Sequence, residues 1–197
     1  MFKSLTRALG LAVLLCAGGA VQAAEKVEDE KDPVTLAAES ARPMTVDELF
    51  RIYNNRTWIW EDGAGYFQAH KRRFISWVRR GRTASFGDGN WFMTQDGRIC
   101  FRAKWHATDG AAIATTCFQH RTDGRNNYQR SWPDGEWYIF AHTPRRSGDE
   151  INKLKAGDQV TASFERNRQY IAENGVPQDF CSRRDPLVKA FCSLFGG

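Results

Sequence analysis

Between Arg56 and His142 the chain alternates short runs of aromatic and β-branched residues with small polar breaks. The runs are 57–60, 66–70, 74–79, 83–86, 90–94, 98–106, 111–120, 127–132 and 137–142. The dipeptide Asp-Gly occurs six times in this region, at residues 62, 88, 96, 109, 123 and 134. Asp and Gly together supply the positive φ angles that tight hairpins need, so each is read as a turn. Seven to nine strands joined in this way predict an antiparallel meander. Such a meander closes into a barrel or folds into a sandwich, because an open sheet would leave two adhesive edges, and a small lipocalin- or avidin-like barrel is the preferred expectation. The fold class is therefore mainly β.

Helices are expected on either side. Thr45-Val46-Asp47-Glu48 has the form of a capping box, with a short helix from Val46 to Tyr53 that turns Val46, Leu49, Phe50 and Tyr53 to one face. Beyond Pro144, Ser147 to Glu150 has the form of a second box, and Leu154, Val160, Phe164, Tyr170 and Ile171 follow at loose helical spacing. One or two helices are expected there. Residues 44–145 are thus assigned to the barrel with its leading helix, and 146–197 to a helical extension packed on the same domain.

The first residues follow another rule. Lys3 and Arg7 precede the apolar run Ala8 to Ala17, and small residues end in Val21-Gln22-Ala23, the three-part pattern of a signal peptide cut after Ala23. The run of about ten residues is too short for a hydrocarbon core that needs about 20, so no stable membrane anchor is expected after cleavage. Leu15 ahead of Cys16 argues against a lipoprotein. Residues 24–43 hold six acids and few large apolar side chains, and are read as a flexible acidic linker. The implied compartment is the periplasm or the exterior. The whole chain carries a formal charge of +5, of which the signal accounts for two and the linker offsets three, so the charge is uneven along the sequence.

Four cysteines follow the signal: Cys100, Cys117, Cys181 and Cys192. Four allow three pairings. If the turn at Ala107 to Gly110 pairs His106 with Ala111, directly opposed residues on the two strands have numbers that sum to 217. Cys100 and Cys117 satisfy that sum, which sets them face to face within reach of a disulfide. Cys181 is then left with Cys192.

Candidate chemistry is sparse. Seven tryptophans occur in the chain, and Trp58, Trp60, Tyr66, Trp91 and Trp105 are the residues expected to surround a small apolar or sugar-like ligand inside the barrel. Filling of the core by the same rings is the competing reading. Lys71, Arg72, Arg73, Arg79, Arg80 and Arg82 flank one strand and form a candidate patch for an anionic partner. Nucleic acid is not expected, since a strand of this length, at about 3.3 Å per residue, sets the two clusters at opposite ends of a sheet. The four histidines have no ligand-like spacing to acids or cysteines, so neither a metal nor a cofactor is expected. No nucleophile, zinc or phosphate-loop motif is present, the carboxylates fall mostly in Asp-Gly turns, and a hydrolase reading keeps paired acids such as Glu61 with Asp62 among its candidates.

Several stretches are similar to a known family: Met44 to Phe50, Trp58 to Phe67, Gly97 to Phe101, Thr116 to His120 and Glu136 to Phe140. Together they resemble a group of exported proteobacterial proteins catalogued as domain of unknown function 995, over about residues 44–160. The resemblance implies an alphaproteobacterial cell-envelope origin, supports the paired cysteines of the central hairpin and brings no catalytic residue with it. The expected function is a non-enzymatic envelope binding module. An interaction protein using its basic turns ranks second, and a hydrolase with unidentified carboxylates third. The expected partner is a small molecule or an envelope component.

Overall fold

The structure, a computed structural model, describes residues 31–175. The signal segment and the pair Cys181 and Cys192 lie outside them. Three helices and ten strands follow in order: α1 (Pro33–Ser40), β1 (Arg42–Pro43), α2 (Val46–Tyr53), β2 (Arg56–Trp60), β3 (Gly63–Phe67), β4 (Arg73–Arg80), β5 (Thr83–Met93), β6 (Arg98–Ala107), β7 (Gly110–Thr122), β8 (Asn126–Trp132), β9 (Tyr138–His142), β10 (Leu154–Ala156) and α3 (Thr161–Asn174). Single 3-10 turns lie at His70–Arg72 and Glu150–Lys153.

The meander is present as expected. Strands β2 to β9 pair in sequence order, every neighbour antiparallel, and the sheet curls into a half-barrel with β10 and β9 at its edges. β10 returns to pair with β2, and β1 adds to β7. The two edges are not hydrogen-bonded to each other. The 3-10 turn at Glu150–Lys153 spans them instead, touching β9, β2 and β10, and buries Ile151 among the core rings.

Five of the six Asp-Gly pairs sit at turns between strands, and the sixth does not. Asp88-Gly89 lies in the middle of β5, which runs unbroken through the two strands expected there. The glycine is needed for close approach rather than for a turn, because a Cβ at Gly89 would stand 2.0 Å from the carbonyl oxygen of Arg102 on β6. The β4–β5 reversal uses Gly81 at φ 58°.

The capping box of α2 forms as read: the Thr45 hydroxyl accepts from the Glu48 amide at 3.2 Å, and Glu48 Oε2 accepts from the Thr45 amide at 2.8 Å. Leu49 and Tyr53 then project into the concave face of the sheet beside Phe67, Phe74, Trp91 and Phe140. Two expectations need correction. Part of the acidic stretch is structured, because small residues let α1 settle closely against Tyr128 and Trp137 through Ala38 and Ala41. Arg121 also donates to the carbonyl oxygens of Ala38, Glu39 and Ala41. The second capping box is absent. Asp149 accepts from the amides of His142 and Arg146, both at 2.9 Å, and pins the loop that leads into the 3-10 turn.

α3 covers the convex side. Phe164 and Ile171 bury against Ala64, Ile75 and Phe86, and Asn167 donates to the carbonyl oxygens of Val78 and Ser85 at 3.0 and 2.9 Å. Asp158 accepts from the amides of Val160 and Thr161 at the start of the helix. The sheet is thus packed on both faces, with α2 on one and α3 on the other.

Candidate functional site

On the concave face the strands carry a series of very small residues. Gly63, Gly65, Gly87, Gly89, Ala103 and Ala114 occupy positions where the period-2 rule directs side chains inward. Rings from neighbouring positions lie over this bare backbone. A Cβ at Gly63 would meet Trp60 Nε1 at 2.6 Å, one at Gly65 would meet Phe74 Cε2 at 2.8 Å, and one at Gly87 would meet Trp105 Cδ2 at 3.1 Å. Glycine at these places lets flat side chains recline against the sheet instead of filling the space above it.

That space is a cavity of about 300 Å³. Its floor is Phe67, Phe74 and Phe101, with the Phe74 and Phe101 rings stacked at 4.2 Å between centroids. Its walls are Trp58 and Trp60 from β2, Trp105 from β6, and Thr116 and Phe118 from β7. Trp58 and Phe118 meet edge to face at 4.9 Å, closing one side. The single charged group in the lining is Glu150, from the 3-10 turn. Glu150 Oε1 accepts from Trp58 Nε1 at 3.1 Å, and its Oε2 lies 2.7 Å from Lys153 Nζ. The volume lies at the lower end of the range for small-molecule sites. A larger groove of about 610 Å³ between α1 and the β7–β8 turn has no aromatic lining.

The sheet is least complete beside the Trp60 and Thr116 side of the lining. β8 pairs with β7 from Thr122 to Cys117, and among the described residues Gly110 to Thr116 have no strand on that side. β10 likewise pairs with β2 only over Arg56 to Trp58, which leaves Ile59 and Trp60 free on the same flank. Residues 111–115 are exposed, and Ile113 is 60% exposed.

Three of the five sequence candidates, Trp58, Trp60 and Trp105, come together in this lining. Trp91 stands outside it. Its ring is buried between Phe50 and Phe67, and its Nε1 donates to the carbonyl oxygen of Gln68 at 2.8 Å. Tyr66 projects to the convex side, beneath α3. The phenylalanines and Glu150 are members that the sequence reading missed. The registers set by the turns could have found the former, since Phe67 falls opposite Phe74 across the β3–β4 turn and Phe101 opposite Thr116 across the β6–β7 turn.

The basic residues do not form one patch. Lys71 and Arg72 have left-handed φ angles of 53° and 52°, and the Arg72 guanidinium sits 4.8 and 4.7 Å from the centroids of Phe50 and Trp91. Arg73 pairs with Asp88 at 2.8 Å, Arg79 stacks on Tyr170, and Arg80 Nε donates to Asp62 at 2.7 Å. Arg82 and Lys71 remain exposed. Asp62 is thereby committed to Arg80 and Asp88 to Arg73, so two of the six cations are balanced by a carboxylate.

Behind Trp58 lies a buried polar chain. The Tyr53 hydroxyl is 2.9 Å from His120 Nε2, Gln129 Nε2 donates to Tyr53 at 3.0 Å, and the Tyr138 hydroxyl donates to Gln129 Oε1. Burial pushes the His120 imidazole down to about 3, only partly opposed by its bond to the Phe118 carbonyl oxygen, so the ring is neutral. Burial likewise drives the Tyr53 phenol well above 10. His142 has an acidic partner that spacing did not reveal: its Nδ1 lies 2.6 Å from Asp149. Among the described residues no three His, Cys, Asp or Glu side chains converge as a metal site would require, and no helix is long and apolar enough to cross a membrane.

The disulfide between Cys100 and Cys117 forms on the convex side of β6 and β7, with Cα atoms 4.1 Å apart. Every pair in that hairpin, from Ala107 with Gly110 to Arg98 with Gln119, obeys the sum of 217. No curated protein and no solved structure matches the chain. A family model does match, over residues 13–160. The chain belongs to the family described as protein of unknown function (DUF995).

Proposed function

We propose that this protein is an exported, non-enzymatic binding module of the cell envelope that holds a small, largely apolar ligand in the aromatic cavity of its half-barrel. The cavity itself carries the reading: about 300 Å³ of space, walled by indole and phenyl rings and open along one flank. A core that merely needed filling would not keep glycine beneath three of its rings. Export rests on the amino-terminal pattern and on the disulfide, which persists in oxidising compartments.

The neutral dye N-phenyl-1-naphthylamine tests the binding. Dye seated beside Trp58 and Trp105 is expected to quench indole emission by energy transfer, with saturation at one dye per chain. Trp58→Ala and, at the half-buried rim, Trp105→Ala should each weaken the dye by about tenfold or more, in line with the loss of a buried aromatic contact. Equal affinity in wild type and both variants would refute the site.

A further inference from the structure

The lining also selects the charge of what enters, an inference that rests on the binding reading above. The lining is dominated by aromatic rings, whose π faces are electron-rich, and its one acidic side chain is the Glu150 carboxylate. An anionic ligand would meet repulsion from both. A sugar would bring several hydroxyl groups to a lining whose polar groups are the Thr116 hydroxyl, the indole nitrogens and this carboxylate, and would leave most of them without partners. An organic cation finds both features favourable. Ring faces attract alkylated ammonium groups, whose weak hydration makes entry inexpensive, and a carboxylate at the edge supplies the counter-charge.

We propose that the cavity binds a small alkylated ammonium compound, with the cationic head between Trp58, Trp60 and Trp105 and directed toward Glu150. The carboxylate is already held in place for this role. Trp58 Nε1 fixes Oε1 at 3.1 Å, while Oε2 faces Lys153, whose side chain is 54% exposed. That ammonium stands in for the ligand's charge in the empty protein. Displacing it returns a solvated lysine to water, which costs little.

The test compares choline with its uncharged isostere 3,3-dimethylbutan-1-ol by titration calorimetry on the full chain, alongside the naphthylamine dye. Choline is expected to bind about tenfold more tightly than the alcohol. Glu150→Gln, which can still accept from Trp58, should weaken choline about five- to tenfold and leave the alcohol unchanged. Lys153→Met should strengthen choline about two- to fivefold by removing the competitor, a gain that a purely structural role for the pair would not produce. If the alcohol matches choline, or Glu150→Gln leaves choline unaltered while the dye still binds, the charge selection is overturned and the apolar cavity stands. If neither choline nor the dye binds, both readings fall.

Discussion

His120, Tyr53, Gln129 and Tyr138 bond to one another behind the cavity wall, and only Tyr138 reaches solvent. His120 Nδ1 faces the Phe118 carbonyl oxygen at 3.3 Å, so Nε2 is left to accept, and protonation of the ring would destroy that arrangement. The imidazole titrates near 3 in the folded protein and at about 6.5 when exposed. Between those values the unfolded chain holds a proton that the native one does not, so stability is complete above pH 6.5 and falls as the pH is lowered through the window. The loss is bounded at about 5 kcal/mol. Urea midpoints should therefore decline between about pH 6.5 and 5, above the range in which the unfolded chain begins to protonate Glu48 and Asp149, whose folded carboxyls are both held near 2 and whose own loss of stability comes at lower pH. His120→Leu should flatten that decline even if it lowers the midpoint overall, and an unchanged slope would refute the assignment.

At the scale of elements, the β6–β7 hairpin depends on its cross-link. Cys117 is also the last residue of β7 that faces β8, so the bridge sits at the point where β7 loses its outer neighbour and becomes the edge of the sheet. Replacing both Cys100 and Cys117 with serine should cost about 3 kcal/mol by freeing a loop of sequence separation 17 in the unfolded chain. Amide exchange should quicken most along residues 101–116, and uniform exchange would contradict the placement. This hairpin and α2 were the most legible parts of the sequence, because a tight turn dictates every pairing beyond it and a capping box acts through neighbours only three residues apart. Asp88-Gly89 misled for a physical reason: the same dipeptide that permits a turn also permits two backbones to touch, and only the opposing strand, with Ala103 facing Gly89 and the Arg102 carbonyl oxygen beside it, distinguishes the cases. α1 was hidden by its charged surroundings, since its anchors Tyr128 and Trp137 lie far along the chain.

Considered as a whole, the molecule shares one sheet between two apolar layers, the cluster around Phe67 and Phe74 and the cluster beneath α3. Each strand from β3 to β5 contributes to both, so the two layers are expected to unfold together. Phe164→Ala, on the convex side, should destabilise by about 3–5 kcal/mol. Near- and far-ultraviolet dichroism should still fall in one coincident transition, whereas separate midpoints would show the layers to be independent. The candidate site was legible only as far as its tryptophans: β2 and β6 supplied three of them by alternation, but Glu150 arrives from a turn some ninety residues beyond Trp58 in sequence, and no local pattern marks it. From Gly110 to Thr116, among the described residues, β7 is paired on one side only, which gives that wall a distinct mechanical character. Held by one neighbour and a single sulfur bond, it is a cantilever rather than a buttress. On the binding reading proposed above, outward bending would admit a bulkier guest without disturbing the floor, which ties the upper size of the ligand to the stiffness of one hairpin.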